Sequence, residues 1–142
     1  MRFMILLTAN ADTEAAVMPS PELMAEMGAF NEALAKAGVL LAGEGLQATA
    51  KGARVLFSGK DRSVKMGPFP LSDRPVAGFW IWQTASLAEA IDWLKRCPNP
   101  TGELGEAEIR QIFETEDFAE SDPTGELRAK EEALRAEQAA RR

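Results

Sequence analysis

The chain has 142 residues, 46% of them hydrophobic and 27% charged, so it has enough apolar material for a core and is not disordered throughout. The net charge of −6 argues against nucleic acid and an anionic membrane surface as partners, because phosphate contact needs clustered Lys and Arg. The absence of histidine and the single cysteine exclude Ser-His-Asp and Cys-His catalysis, imidazole metal ligands, thiolate zinc clusters and internal disulfides.

The first element is a strand over Met1 to Thr8. Its side chains are apolar on both faces, which is typical of a strand buried on both sides. Phe3, Ile5 and Leu7 point one way, and Met4 and Leu6 point the other. This apolar run is too short for a signal-peptide core or a membrane span, so the sequence predicts a cytoplasmic protein.

A polar loop and a helix follow. Asn10 to Pro19 is predicted as loop, and Ser20-Pro21-Glu22 has the cap, the proline and the acidic residue that open a helix. Apolar residues at helical spacing continue from Leu23 to Leu34, and Gly38 is predicted to end the helix.

The middle of the chain predicts three short strands. A strand over Val39 to Ala42 leads into Gly43-Glu44-Gly45, which formally opens a G-x-G-x-x-A pattern. A dinucleotide site needs a helix to begin there, and too few residues remain before the next strand, so the pattern indicates a glycine turn. Ala53 to Phe57 and Arg62 to Met66 predict a hairpin, and Gly67 to Pro70 a rigid loop.

The last elements of the body complete a recognisable order. Val76 to Thr84 is the clearest strand, and the capping box at Ser86 to Glu89 starts a helix that stops near Cys97. Glu106 to Phe113 alternates again as a strand. The resulting order is that of a ferredoxin-like α+β fold, a split β-α-β with an extra hairpin.

A charged tail follows the body. Between Glu114 and Arg142 there are nine acidic and five basic residues, a net charge of −4 out of the chain's −6. The sequence beyond Asp122 predicts a C-terminal helix. Its only large apolar residues are Leu127 and Leu134, so we expect the helix to pack through one edge. The predicted division is therefore a body over 1–114 and a tail over 115–142.

The alternation in the clearest strand suggests self-association. Trp80 and Trp82 are assigned to the sheet face that the two helices leave open. Two exposed tryptophans would leave several kcal/mol of apolar burial unused, at about 25 cal/mol per Å². Sheets packing face to face would bury them, which predicts a homodimer. The alternative is that the C-terminal helix of the same chain covers one tryptophan face.

Four segments also carry a family resemblance. They are Arg54 within ARVLFSG, MGPF at Met66 to Phe69, the stretch from Ala77 to Pro98, and EAEIRQIFE at Glu106 to Glu114. Together they resemble the YCII-related family, in particular its D-G-P-F branch. The resemblance implies a dimeric α/β barrel of two ferredoxin-like sheets. It departs at Met66, where the branch has aspartate, and the acid–base pair with histidine proposed for some members has no histidine here.

Charged residues supply the candidate chemistry. Arg54 and Arg110 lie within predicted strands and together would hold an anionic ligand, unless each is exposed or pairs with Glu44, Glu108 or Asp73. Glu44 and Asp73, in loops near strand ends, are the candidate general bases, with a solvated or ion-paired carboxylate as the alternative for each. No segment has the spacing of a known metal-binding loop.

Aromatic residues supply the second group of candidates. Phe69, Trp80 and Trp82 are placed around a ligand cavity beneath the Gly67 to Pro70 loop, and the alternative places the two tryptophans in an interface core. Two hypotheses for function follow. The first is a protein that binds a small anionic or aromatic molecule, with a cofactor-independent enzyme as its catalytic form. The alternative is a non-catalytic interaction or regulatory module. The sequence predicts no metal site and leaves the cofactor unknown.

Overall fold

A computed structural model of the protein describes residues 1–99 and 104–142. The chain divides into two units, Met1–Gln111 and Ile112–Arg142. The described part of the first unit contains β1 (Arg2–Thr8), α1 (Ala11–Glu14), α2 (Pro21–Lys36), β2 (Leu40–Gly45), β3 (Ala53–Ser58), β4 (Asp61–Met66), β5 (Val76–Gln83), α3 (Leu87–Leu94) and β6 (Ala107–Gln111). The second unit contains a 3-10 stretch, Thr115–Ser121, and α4 (Glu126–Ala140).

The strands of the first unit form two sheets. Four of them form an antiparallel sheet in the order β2-β5-β1-β6, and β3 and β4 pair as a separate hairpin. This order is consistent with the predicted ferredoxin-like α+β fold with an extra hairpin, and the predicted C-terminal helix is confirmed as α4.

The ends of α2 follow the signals in the sequence. The Ser20 side chain accepts a hydrogen bond from the backbone N–H of Leu23 at 3.1 Å, and Pro21 occupies the first turn. The helix ends at Lys36, and Gly38 follows with a φ of 72°, a left-handed conformation that glycine adopts without steric cost. Phe30 is one of two α2 residues that are buried against the sheet.

The start of α3 differs slightly from the predicted capping box. The Ser86 side chain accepts from the N–H of Glu89 at 3.1 Å, as expected, but the Glu89 carboxylate accepts from Ala85 at 2.8 Å, one residue before the cap. The helix buries Ala90, whereas its apolar residues Leu87 and Ile91 are exposed. Its core side continues instead through Trp93, Leu94 and Cys97, and the Arg96 guanidinium lies 3.9 Å from the Trp93 ring centroid.

Cross-strand register corrects the predicted position of the two tryptophans. Phe3 pairs with Trp82 and Ile5 with Trp80, so all four side chains share the face that packs under α2. The Phe30 ring meets both indoles edge-on, with centroid distances of 5.6 and 6.2 Å. The expectation of exposed tryptophans was therefore wrong, and α2 is the helix that covers them. Alternation within one strand fixes two faces but not which face meets the helices.

The opposite side of the sheet is also apolar. Met4 pairs with Ile81 and Leu6 pairs with Phe79, so these four residues of the two central strands lie together on the side away from Phe3 and Trp82. All four are half-buried and none belongs to the core cluster. We call these four residues the open face of the sheet.

Two local differences concern loops. The predicted polar loop contains the one-turn helix α1, where the Asn10 side chain accepts from the N–H of Thr13 at 2.9 Å. The predicted glycine turn is strand instead, since β2 continues through Gly43 to Gly45. The next element is a 3-10 turn over Thr49–Lys51, so no helix follows the glycines as a dinucleotide site requires. No helix among the described residues is long and apolar enough to cross a membrane.

Candidate functional site

A cavity of about 300 Å³ opens between α2 and the β2 edge of the sheet. We call it the α2–β2 cleft; its lining consists of Leu7, Met27, Asn31, Leu40, Gly43, Glu44, Gly45, Phe79 and Trp80. The cleft exists because two glycines stand where β2 faces the helix. Gly43 pairs with Trp80, and Gly45, two residues further on, presents its missing side chain on the same side.

Trp80 forms the aromatic wall of the cleft and is held in place from two sides. Its Nε1–H donates to Oδ1 of Asn31 on α2 at 3.0 Å. A Cβ atom at Gly43 would lie 2.5 Å from Trp80 Cδ1, so the indole occupies space that any side chain at this position would need. The bond from Trp80 orients the Asn31 amide, whose Nδ2 donor has no hydrogen-bond partner among the described residues.

Glu44 is the one ionisable residue among those that line the cleft. It lies on β2, the edge strand of the sheet, opposite Phe79, so its side chain starts on the open-face side while its neighbours Gly43 and Gly45 face α2. The predicted base and the predicted aromatic residue Trp80 are therefore in the same cavity, although it lies beside α2 and not beneath the Gly67 to Pro70 loop.

Trp82, by contrast, is not accessible to a ligand. Its side chain is fully buried among Phe3, Phe30 and Trp80, and its ring centroid lies 5.5 Å from that of Trp80. Its Nε1–H has no hydrogen-bond partner within residues 1–99 and 104–142. The structure therefore places Trp82 in the core and not in the lining of the cleft.

A second cluster surrounds the G-P-F segment. Phe69 is buried, and its backbone N–H donates to Thr49 Oγ1 at 2.9 Å. The N–H of Thr49 donates to a Glu14 carboxylate oxygen at 3.0 Å, and the Thr49 hydroxyl donates to the other oxygen. A Cβ atom at Gly67 would overlap the Thr49 carbonyl, so the segment needs glycine at this point. We call Glu14, Thr49, Gly67 and Phe69 the Thr49 cluster.

Arg54 and Asp73 meet beside this cluster. Arg54 Nη1 lies 2.7 Å from Asp73 Oδ2, and the guanidinium carbon lies 3.8 Å from the Phe69 ring centroid. The arginine therefore has both a carboxylate partner and an aromatic face within its own chain. This matches the internal pairing with Asp73 that was the alternative to a ligand role.

Arg110 lies in a different place. It is an exposed residue of β6, and its Nη1 lies 3.2 Å from Glu108 Oε2 on the same strand. The structure thus places the two predicted anion-binding arginines in separate sheets, each beside a carboxylate. Arg54, Asp73 and Phe69 lie together; Glu44 and Trp80 line the cleft.

The remaining candidates for chemistry are the Cys97 thiol and a possible cluster of metal ligands. Burial raises the pKa of the Cys97 thiol, which favours the unreactive protonated form. Within residues 1–99 and 104–142, no three side chains of His, Cys, Asp and Glu come close enough to hold a metal ion.

Sequence reasoning missed Asn31, Glu14 and Thr49. Asn31 directly follows the buried Phe30 on α2, and a polar side chain beside the core face of a helix is a usable signal for a partner across the cavity. Glu14 and Thr49 are 35 residues apart in the chain, so no local pattern links them.

Comparison with known families decides the classification. The family model described as the YCII-related domain matches residues 1–116. The chain belongs to the YCII-related family. The match covers the whole first unit, including the α2–β2 cleft and the Thr49 cluster of this YCII-related domain. A search of the curated proteins finds no match.

Proposed function

We propose that this YCII-related protein binds a small molecule in the α2–β2 cleft. The observation that carries the proposal is the cavity of about 300 Å³ beside Trp80, a size at the lower end of known ligand pockets. Its lining combines apolar and aromatic residues with the polar residues Asn31 and Glu44, and ligand sites commonly combine these residue types.

The lining favours an aromatic ligand over a purely anionic one. Trp80 supplies ring surface and Asn31 supplies an unused amide donor. Glu44, whose side chain starts on the other face of the sheet together with that of Phe79, would supply a carboxylate acceptor by reaching around the edge of β2. The anionic form of the hypothesis depends on Arg54 and Arg110, and both arginines have carboxylate partners. We therefore propose a small aromatic molecule that carries a hydrogen-bond donor.

The catalytic form of this proposal gives Glu44 the role of general base in a cofactor-independent reaction. A general base must reach the proton that it removes, and the Glu44 carboxylate would do so around the unpaired edge of β2, since its side chain starts on the other face of the sheet. Asp73, the other predicted base, already bonds Arg54. Replacing Glu44 with glutamine would keep the shape of the cleft and remove the base.

Three aromatic probes of similar shape test the binding site. Benzylamine, benzyl alcohol and benzoate differ in charge, and the indole N–H signal of Trp80 in NMR reports on the cleft. We expect benzylamine and benzyl alcohol to shift this signal at lower concentration than benzoate, because benzoate would meet the Glu44 carboxylate. In Glu44→Gln, the preference for benzylamine over benzoate should disappear.

A matched pair of glycine variants controls this experiment. Gly45→Leu would fill the cleft and should abolish the response to all three probes. Gly28→Ala, on α2 but outside the lining, adds a methyl group where no atom lies within 4 Å and should respond as the original protein does. Equal probe binding in the two variants would rule out the cleft as the site.

We further propose that the protein is a homodimer of the dimeric α/β barrel type. Its support is the open face, where Met4, Leu6, Phe79 and Ile81 form an apolar patch in the middle of the sheet. The G-P-F segment supports placement in the D-G-P-F branch of the family, despite Met66. Leu6→Lys should shift sedimentation towards the monomer, with circular dichroism as the check that the variant folds.

The tail favours a second candidate function, a protein-interaction module. Leu127 and Leu134 are seven residues apart on α4, which puts them on one helix face among charged residues. Deleting residues 123–142 should then abolish a protein interaction while leaving probe binding in the cleft unchanged. An unchanged set of interactions after the deletion would exclude this role for the tail.

A further inference from the structure

The β3–β4 hairpin has one exposed and mainly apolar face, on which the Arg62 guanidinium lies 4.6 Å from the Phe57 ring centroid. Register pairs Ala53 with Met66 and Val55 with Val64, and Phe57 lies further along on the same face. Val55 is 50% exposed, Val64 64%, Met66 68% and Phe57 75%. All twelve residues of the two strands, apart from Arg54, are exposed.

The other face of the hairpin is turned towards its own chain. Arg54 and Lys65 pair across the two strands on that face, and their charged groups lie 3.8 and 6.0 Å from the Phe69 ring centroid. Since Phe69 is buried in the Thr49 cluster, this contact fixes which side of the hairpin meets the body. The apolar side is the one left in solvent.

An isolated two-stranded hairpin is at best marginally stable in water, and a contiguous exposed apolar patch on a soluble protein marks an interaction site. Val55, Phe57, Val64 and Met66 form such a patch on both strands. The other face is mainly polar, with Leu56 as its one large apolar residue, so the apolar side chains are concentrated on one side of the hairpin. The β3–β4 hairpin is therefore an arm with one exposed apolar face.

We propose that the β3–β4 hairpin is an arm that packs its apolar face against a second copy of this chain. Charge points to that partner. Residues 53–66 hold four basic residues and one acidic residue, a net charge of +3, while the remaining residues hold twelve basic and twenty-one acidic residues, a net charge of −9. Arg54 and Lys65 face the hairpin's own chain, so Lys60 at the tip and Arg62 beside the apolar face are the basic residues that the acidic surface of a second copy would meet.

Symmetry makes the proposal sensitive to single substitutions. In a two-fold dimer each arm contacts the partner in the same way, so one substitution changes two contacts at once. Opposite charges around the apolar face also predict that the dimer weakens as salt is added, because exposed charges are screened.

Val55 and Leu56 provide a matched pair of positions for the test. They are neighbours on β3 with almost equal exposure, 50% and 51%, but they lie on opposite faces of the hairpin. We expect Val55→Lys to raise the dimer dissociation constant in sedimentation equilibrium by roughly tenfold or more, and Leu56→Lys to leave it near the original value. Val64→Lys, across the hairpin from Val55, should repeat the effect of Val55→Lys.

Several results would contradict the proposal that the hairpin packs against a second copy. They are a wild-type protein that sediments as a monomer at every concentration, equal dissociation constants for Val55→Lys and Leu56→Lys, and a dimer that only Leu6→Lys dissociates. Circular dichroism melts on each variant show that the fold is retained, because all three substituted hairpin residues are exposed already. Probe binding at Trp80 is measured separately, so the result for self-association through the hairpin does not decide the result for ligand binding in the cleft.

Cross-linking gives a direct view of the contact. Unlabelled and isotope-labelled chains are mixed, and a carbodiimide then joins amines to neighbouring carboxylates. Lys60, at the tip of the hairpin, should form cross-links of mixed mass to Asp or Glu residues of the other copy. Cross-links from Lys60 that join only residues of the same copy would contradict the proposal.

Discussion

Gly43 shows how one missing side chain shapes the cleft. Trp80 lies across this glycine and donates to Asn31, so the ring is fixed between the strand and the helix. A Cβ atom at Gly43 would come within 2.5 Å of the indole, and either the ring or the strand would have to move. The position of the aromatic wall therefore depends on a residue that makes no side-chain contact itself.

Gly43→Ala should destabilise the protein by about 1–3 kcal/mol, because an added methyl group in a packed site forces neighbouring atoms to shift. The Trp80 indole signal should move as its bond to Asn31 lengthens. Urea unfolding and NMR measure the two effects. Gly28→Ala is the control; it lies inside α2 with open space around the added methyl group, and it should stabilise by about 0.5–1 kcal/mol.

Thr49→Val removes the hydroxyl that links Glu14 to Phe69 while keeping nearly the same shape. The N–H of Phe69 loses its acceptor in a buried setting, which should cost about 1–3 kcal/mol of unfolding free energy in urea titrations. Thr49→Ser retains the hydroxyl and should lose much less. Equal stability of the two variants would mean that the network does not support the G-P-F segment.

Among the elements, α4 begins without a cap at its own N-terminal position. The residue there is Gly125, which has no side chain to offer. Asp122 takes over the role: its carboxylate accepts from the N–H of Leu127 at 3.2 Å and from that of Arg128 at 2.9 Å. The Arg128 guanidinium also donates to the same carboxylate at 3.2 Å.

These bonds make the start of α4 sensitive to acid. The N–H of Arg128 is the largest cause that lowers the pKa of Asp122 below its ordinary value of 3.8, and burial opposes it. Because the folded-state pKa lies below the unfolded value, the stabilisation is present above the unfolded pKa and is lost as pH falls through the folded pKa. An NMR titration should show the amide signals of Leu127 and Arg128 moving with a midpoint below the ordinary carboxyl pKa of 3.8.

Asp122→Asn is the matched control for this titration. Asparagine keeps an acceptor oxygen but does not titrate, so the acid-dependent movement of both amide signals should vanish. Movement that persists in Asp122→Asn would assign the acid sensitivity to another group.

Element positions were predictable because local signals determine them. Ser20 and Gly38 mark the ends of α2, and the alternation in β5 identifies a strand. The face on which Trp80 and Trp82 lie was not predictable in the same way. It depends on the pairing of Trp80 with Ile5 and of Trp82 with Phe3, residues 75 or more positions apart in sequence, and that register is a property of the whole sheet.

At the scale of the molecule, burial is unevenly distributed within the first unit. The central strands β1 and β5 have a paired neighbour on each side and contribute Phe3, Ile5, Trp80 and Trp82 to the core. The hairpin pairs only with itself and contributes none of the buried core cluster. Local opening should therefore cost much less free energy in the hairpin than in the central sheet.

Hydrogen exchange tests this difference. In a dilute sample, the amides of β1 and β5 should be the slowest to exchange in the first unit, and those of β3 and β4 should exchange much faster. Protection of the hairpin should rise with protein concentration if its apolar face is covered by a second copy. A hairpin as protected as β5 at high dilution would show that the first unit opens as one piece.

The candidate site was only partly predictable from the sequence. Glu44 and Trp80 were both named, but the cavity that they share requires Asn31 from α2 and the helix-facing glycines of β2, which meet only after folding. Arg54, Asp73 and Phe69 were named for two separate roles and form one cluster. Side-chain type identified these residues; their distances depend on tertiary packing.

The three tryptophans of the chain stand in three different surroundings. One indole donates to an amide oxygen at the cleft, and one is fully buried with an N–H that has no acceptor in the described part of the chain. The third, Trp93 on α3, lies against the guanidinium group of Arg96. Fluorescence and indole NMR should therefore resolve them as separate natural reporters. In a single sample of the unmodified protein, one tryptophan signal would then report ligand entry into the cleft, a second would report loosening of the core, and a third would report fraying of α3.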